Sequence, residues 1–417
     1  MNIIKKYNST SLIIRIIIGL VLGAVLGLLI KDLPVVPLLG TLFVGALKAV
    51  APVLVFVLVI SALAQGNDKL DRRFGLVILL YMTSTLLASV VAVVGSFIFP
   101  QTLKLAETAE AEAIPTGIGE VLSNLLTNMV ANPLGAILEG RYIGILFWAV
   151  IFGLAAKKIC SDTTKKMMED LSNLVSMTVR WIINLAPFGI MGLVYTNVST
   201  NGLSIFVDYG KLLLLLVGCM LAVALIVDPL LAAITLKTNP YPLVFRCLKE
   251  SGLTAFFTRS SAANIPVNME LCEKLGMDKE MYAVSIPLGA TINMDGAAVT
   301  IAVMSLAAAN TMGIQVPFAT ALILALIATL GACGASGVAG GSLLLIPMAC
   351  SLFGVNADIA MQVVAVGFII GVVQDSVETA LNSSGDVMFA ATAEYAQWKK
   401  KGKSLPTFLG GDTKVDI

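Results

Sequence analysis

The residues best suited to chemistry lie close together near the C-terminal end, in Asp375-Ser-Val-Glu378-Thr379-Ala-Leu-Asn382-Ser-Ser-Gly-Asp386. At about 100° per residue, Asp375, Thr379, Asn382 and Asp386 fall within roughly 60° on one helix face, with Glu378 on its edge. The surrounding segment, 359–393, is otherwise apolar enough to be an ordinary membrane helix. An ionised side chain at the bilayer centre costs about 2.5–3.5 kcal/mol on insertion scales, so three carboxylates on one face need a cation, a charged ligand or an arginine. A second polar stretch, Thr291-Ile-Asn293-Met-Asp295-Gly296, interrupts another apolar segment, with Gly289 and Gly296 on either side of Asn293 to let a helix unwind. Freed carbonyls with Asn and Asp oxygens are hard-cation ligands that suit Na⁺ better than any soft metal. The plainer alternative is an Asn/Asp pair hydrogen-bonding a neighbouring helix.

The elements that must position these groups follow from composition. The 417 residues are 58% hydrophobic and only 13% charged. Several segments exceed about 18 apolar residues, so an all-α polytopic membrane protein is expected. The chain has no histidine, which removes His-based triads, histidine metal sites and histidine proton relays. With no lysine deep in a span to activate a serine, an enzyme is not expected. The six cysteines form no CxxC pair and read as small core residues, so neither a disulfide framework nor a transition-metal site is expected. The net charge of +1 gives no reason to expect a nucleic-acid partner. The basic, apolar N-terminus lacks a clear small-residue cleavage site and reads as an uncleaved first helix, not a signal peptide.

Apolar segments fall near 12–30, 38–64, 74–99, 119–157, 167–198, 203–236, 281–312 and 357–396. Basic residues cluster in alternate connections: Lys5, Lys6 and Arg15; Lys69, Arg72 and Arg73; Lys157, Lys158, Lys165 and Lys166; Lys237, Arg246 and Lys249; Lys399 to Lys401 and Lys403. The loop over 100–120 is acidic, with Glu107, Glu110, Glu112 and Glu120. Basic loops favour the cytoplasm, so eight transmembrane helices place both termini there. Asp228-Pro229 reads as a capped kink, and the basic tail from Gln397 as disordered.

Two stretches fit no simple span. In 240–276, Leu253-Thr-Ala-Phe-Phe-Thr-Arg259-Ser260-Ser261-Ala-Ala-Asn264-Ile-Pro266 puts a polar tip between arms too short to cross, as in a re-entrant helical hairpin. The second, 317–352, lies in a run from Gly296 to Ala357 with no charged residue in 62 positions. Five glycines in the eleven residues 331–341, Gly334 and Gly337 among them, would leave backbone groups unpaired, which is tolerated at membrane depth only where protein or a polar cavity satisfies them. One kinked helix with a small-residue packing face is the alternative to a hairpin there.

Asn293-Met294-Asp295-Gly296, the Ser-Ser tip before Pro266, the glycine-rich hairpin and the D-x-x-x-T-x-x-N-x-x-x-D helix occur together in that order. This combination, spread over nearly the whole chain, closely resembles the dicarboxylate/amino acid:cation symporters, the glutamate-transporter-type family. The resemblance implies eight transmembrane helices plus two re-entrant hairpins, in a homotrimer embedded in the lipid bilayer of a bacterial inner membrane. It implies a scaffold of residues 1–73 and 101–200 and a transport domain of 74–100 and 201–417, which slides against the scaffold like an elevator. It further implies that Asp375 takes a substrate amino group, that Asn382 takes its α-carboxylate, and that Thr379 and the tips at Ser260, Ser261 and Gly337 close around it. Na⁺ would be the coupling ion, without an organic cofactor. One site would use Gly289, Asn293, Asn382 and Asp386, and a second Thr291 with Ala332, Cys333 and Ala335. A third would use Asn293 and Asp295 with Tyr81, Ser84 and Thr85.

Members of this family that carry acidic substrates have an arginine where this chain has Glu378, and a threonine where it has Ala297. A carboxylate at 378 would repel an acidic side chain, at a cost of several kcal/mol where like charges meet in a dry site, but can accept a hydroxyl hydrogen bond. The expected substrate is therefore a small neutral amino acid, serine or threonine first and alanine next. Glu378 could instead simply pair with Arg259, the charge partner available to Asp375 as well. An acidic amino acid or dicarboxylate, coupled to Na⁺ or H⁺, is the other reading.

Overall fold

The computed structural model describes residues 10–30, 33–65, 72–105, 123, 126, 127, 129–333, 335 and 340–415. Gly334, Gly337 and the loop charges Lys5, Lys6, Lys69, Glu107, Glu110, Glu112 and Glu120 lie outside them. The described residues are helical with no strand beyond one isolated bridge, Pro406 to Thr413. The helices are α1 (Leu12–Leu29), α2 (Val35–Ala64), α3 (Arg72–Ile98), α4 (Pro133–Glu139), α5 (Tyr142–Ile159), α6 (Asp162–Asn184), α7 (Ala186–Asn201), α8 (Ile205–Ala222) and α9 (Asp228–Leu236). They continue with α10 (Tyr241–Cys247), α11 (Leu253–Thr258), α12 (Ser261–Lys274), α13 (Lys279–Ile292), α14 (Asp295–Thr311), α15 (Phe318–Ala332), α16 (Ile346–Cys350) and α17 (Ala357–Lys400).

By length and composition, five described stretches can cross a bilayer: Val35–Ser61, Phe74–Ile98, Gly202–Leu236, Lys279–Thr311 and Ala357–Lys400. The pair α6 and α7, bent by 52°, makes a sixth if taken as one span. The first and fourth expected spans correspond to the shorter α1 and α5. The chain is thus a membrane protein with several apolar spans.

Close packing begins at α1, where glycines four residues apart meet the backbone of α7. A Cβ at Gly19 would lie 2.2 Å from the Pro187 carbonyl oxygen, and one at Gly23 2.4 Å from that of Met191. Without a hydrophobic drive between helices in lipid, such small-residue seams let backbones approach closely enough for dispersion to hold them. Helix α2 packs against α5, α6 and α7, and α3 against α14, α15 and α17. Lys48 of α2 forms an ion pair with Asp358 at the start of α17.

Between α8 and α9 the helix widens into a π turn, Val223–Val227, just before Asp228-Pro229. Proline has no N–H to give the preceding turn, and the widened turn absorbs the mismatch. This is where the capped kink is expected from the sequence. Asp228, however, is no solvent-side cap: it is 2% exposed, with its carboxylate directed to α3.

The first odd stretch is a helix–turn–helix unit, and the second has two helical arms on either side of residues that include the undescribed 334 and 336–339. In the first, α11 ends at Arg259, one of two non-glycine residues with positive φ among those described (φ 51°, ψ 37°). Ser260 then caps α12, its hydroxyl accepting the Ala263 N–H at 3.2 Å. In the second, α15 and the 3₁₀ and α turns of Ser342–Phe353 form the arms. The final helix, α17, is capped by Asn356, whose side chain accepts the Ile359 N–H at 2.9 Å, and ends on Lys399 and Lys400, which suit the helix dipole.

The tail is ordered, contrary to expectation. Lys399 donates to the Leu236 carbonyl at 2.7 Å, Lys403 stands 3.1 Å over the Trp398 ring, and Arg246 lies 5.1 Å from the Phe408 ring. Enough apolar and cationic contact is available on α9, α10 and α17 to outweigh the entropy of ordering a short basic segment. The cysteines are free, with Cys219, Cys247, Cys272 and Cys350 buried.

Candidate functional site

Helix α17 stays continuous through 375–386, so the stripe forms, and Asp375, Glu378, Thr379, Asn382 and Asp386 are all buried. Opposite it, α13 stops at Ile292 and α14 starts at Asp295, leaving Asn293 and Met294 non-helical (φ/ψ −91°/83° and −123°/53°). Pro287 weakens the turn before this break, and interactions with α17 hold it. The Asn293 amide donates to the Asn382 carbonyl and to Asp386 Oδ1, both at 3.1 Å, and Asn382 Oδ1 accepts the Gly296 N–H at 2.7 Å.

At the upper end of the stripe, Arg259 Nε donates to Asp375 Oδ2 at 2.7 Å, and the Gly340 N–H donates to Asp375 Oδ1 at 3.1 Å. Both partners are at least nine-tenths buried, and this pairing explains why a non-glycine residue is held in the left-handed region at position 259. Glu378 does not share Arg259. Its Oε2 lies 2.7 Å from Thr300 Oγ1 and accepts hydrogen bonds from Ser342 at 2.9 Å and from Gln374 at 2.5 Å. The expected Glu378–Arg259 alternative is thus replaced by a neutral donor set, one member of which, Ser342, belongs to the second odd stretch. Arg259, Ser261, Met294, Ala335, Ser342, Asp375, Glu378, Thr379 and Asn382 line a cavity of about 10 Å³, room for about one water.

At the lower end, Gly289 is required by close approach. A Cβ there would lie 2.7 Å from Asp386 Oδ1 and 2.8 Å from Tyr81 Oη. Tyr81 donates to the Asp386 carbonyl at 3.0 Å, which groups it with Gly289 and Asp386 more closely than with Asp295. Among the described residues, Asp386 Oδ2 and Asn293 Oδ1 have no hydrogen-bond partner although both residues are 0% exposed. Bare buried oxygens of this kind cost several kcal/mol unless something else meets them, and a hard cation does so. Asp295 faces α3 instead, taking Ser84 Oγ at 2.7 Å and Thr85 Oγ1 at 2.8 Å.

The remaining expected residues divide. Cys333 donates to the Ile292 carbonyl at 3.5 Å, which brings the end of α15 to the helix break, and Ala332 and Ala335 are buried. Thr291 is exposed, its hydroxyl bonded within its own helix to the Leu288 carbonyl at 2.7 Å. Ser260 serves as the cap of α12, whereas Ser261 faces the cavity. The sequence reading missed Thr300, Ser342, Gln374 and Asp228. The available signal was slight: Thr300 and Ser342 are two of eight hydroxyl residues in the uncharged run, and Gln374 lies one turn before Glu378.

Comparison with known proteins agrees with this geometry. Residues 12–395 match the family model of the sodium:dicarboxylate symporter family. The serine/threonine transporter SstT of Bifidobacterium adolescentis is 65% identical over 403 residues, covering 97% of this chain and 94% of the relative. Proteins of the same name from Streptococcus thermophilus and Streptococcus agalactiae are 57% and 58% identical, each over 95% of this chain and 99% of the relative. With a family match over nearly its whole length and relatives this similar, the chain belongs to the sodium:dicarboxylate symporter family.

Proposed function

We propose that this membrane protein is a sodium-coupled symporter that imports serine and threonine, and alanine less readily, across a bacterial inner membrane. The observation that carries the reading is the α17 stripe facing the broken α13–α14 helix, with Asn293 Oδ1 and Asp386 Oδ2 buried and unpartnered. Sodium is cargo here, taken at Gly289, Asn293, Asn382 and Asp386, at the helix break with Thr291 and the 332–335 tip, and at Asn293 and Asp295 with Ser84, Thr85 and Tyr81. The substrate ammonium goes to Asp375, and its α-carboxylate to Asn382 and the hairpin tips at Ser261 and Gly337. Its hydroxyl meets Glu378, in place of the Thr300 or Ser342 hydroxyl bonded there now. The narrow cavity means that Arg259 must leave Asp375, or the second hairpin must lift from Glu378, before an amino acid enters.

Coupling follows from charge. Substrate without sodium leaves buried carboxylates uncompensated, so crossing is costly. Once loaded, each net positive charge gains about 2.3 kcal/mol per 100 mV. The serine/threonine name of the relatives supports the neutral substrate, as does Glu378, which would repel an acidic one.

We further assign eight spans and two re-entrant hairpins, with both termini cytoplasmic, and a homotrimer of scaffold (1–73 and 101–200) and elevator-like transport domains (74–100 and 201–417). The packing of α2 on α5, α6 and α7, and of α3 on α14, α15 and α17, supports this division. The test is radiolabelled serine uptake into proteoliposomes with and without an inward Na⁺ gradient, competed by threonine or aspartate. Uptake that ignores the gradient, or that aspartate competes as well as threonine, would refute the reading.

A further inference from the structure

The function above leaves the buried acid Asp228 unused. Asp228 Oδ1 lies 2.6 Å from Ser84 Oγ, which also lies 2.7 Å from Asp295 Oδ2. A hydroxyl has one proton, so it can donate to only one of the two carboxyls, and the other contact sets oxygen lone pairs together unless that carboxyl carries its own proton. No lysine or arginine forms an ion pair with either acid among the described residues. Asn293 borders the same spot: a Cβ at Gly385 would lie 2.8 Å from Asn293 Nδ2 and 3.9 Å from Asp295 Oδ2, and Asn293 Oδ1 is buried with no hydrogen-bond partner among the described residues. Gly385 and Asp228 also border a common cavity of about 10 Å³.

We propose that Asp228 is a positioning residue for the cation held by Asp295, Ser84 and Thr85, accepting the Ser84 proton so that the Ser84 oxygen turns to the ion. A hydroxyl coordinates a cation through its lone pairs, so its hydrogen must point away from the ion, and the Asp228 carboxylate is the acceptor in place to receive it. With Ser84 turned this way, Asp295 Oδ2 no longer takes the Ser84 proton and is left for the ion. Partners that orient a ligand in this manner are worth about 10- to 100-fold in metal affinity.

The inference rests on the sodium reading, and its test separates the two. The measurement is thermal stability of the full-length protein in detergent, titrated with NaCl at constant ionic strength maintained with choline chloride. Wild type should be stabilised with a defined sodium midpoint. Asp228→Asn should raise that midpoint by about 10- to 100-fold. In a Ser84→Ala background the same change should add less than about threefold, because the residue through which Asp228 acts is gone. If Asp228→Asn fails to fold, Asp228→Glu should fold, respond to sodium, and show a raised midpoint. An unchanged midpoint with a lower sodium-free melting temperature makes Asp228 merely structural and overturns the proposal. Fully additive effects with Ser84→Ala overturn it too. A wild type that ignores sodium removes the sodium reading itself, and this assignment with it.

Discussion

Replacing Arg259 by glutamine tests how the substrate reaches its site. The Arg259–Asp375 pair is buried, with Nε 2.7 Å from Oδ2 and side chains 10% and 4% exposed. Removing one partner of such a pair costs about 3–5 kcal/mol, because the remaining charge is left uncompensated in a dry setting. In Arg259→Gln, Asp375 retains only the Gly340 N–H among its charge-stabilising donors, so the ligand-free protein should be destabilised. The substrate ammonium then becomes the natural cation for Asp375 and no longer has to displace an arginine. Serine binding should recover part of the lost stability. If it recovers about 1.4 kcal/mol, affinity rises about tenfold; the full cost would be an upper limit. The assay is a serine titration by thermal shift at saturating sodium, with Asp375→Asn as the non-binding control. In the double variant the uncompensated charge is gone, so ligand-free stability should return while binding stays absent. If Arg259→Gln abolished serine binding and left ligand-free stability unchanged, Arg259 itself would hold the substrate, and the argument would be wrong.

Three further outcomes follow from distances in the site. Gly289→Ala would set a methyl 2.7 Å from Asp386 Oδ1, so the sodium midpoint for stabilisation should rise about tenfold or more; an unchanged titration would remove Asp386 from cation binding. Ser342→Ala removes the hydroxyl that joins the second hairpin to Glu378, a charge-assisted bond worth about 1.5–3 kcal/mol. Alkylation of the half-buried Cys333 by a maleimide in sodium-free membranes should then accelerate about tenfold, and an unaltered rate would mean that Ser342 does not hold the hairpin shut. Truncation after Lys403 removes Phe408 from Arg246 and Tyr395, and a loss of about 2–3 kcal/mol should appear as lower thermal stability with sodium-coupled uptake retained. Equal stability of the truncated chain would restore the disordered tail.

The sequence by itself determined the class of the protein and the location of its chemistry. Charges are so costly in lipid that a stripe of three carboxylates at helical spacing, or one Asp beside glycines in an apolar run, reveals a site without any contact map. The helix break at Asn293-Met294, the polar tip at Arg259-Ser260 and the unbroken helix through Asp386 were legible because each depends on local spacing and on backbone groups that must be satisfied nearby. Tertiary structure alone decided which groups meet. Arg259 is 116 residues from Asp375, and Ser84 is 144 from Asp228, so neither pairing leaves a local signal. Arg259 chose Asp375 over Glu378, three hydroxyl and amide donors converged on Glu378, and an apparent helix cap at Asp228 turned inward toward Ser84. Each outcome follows from the same constraint. A buried polar atom must find a partner, and only the packed chain fixes which one is within reach.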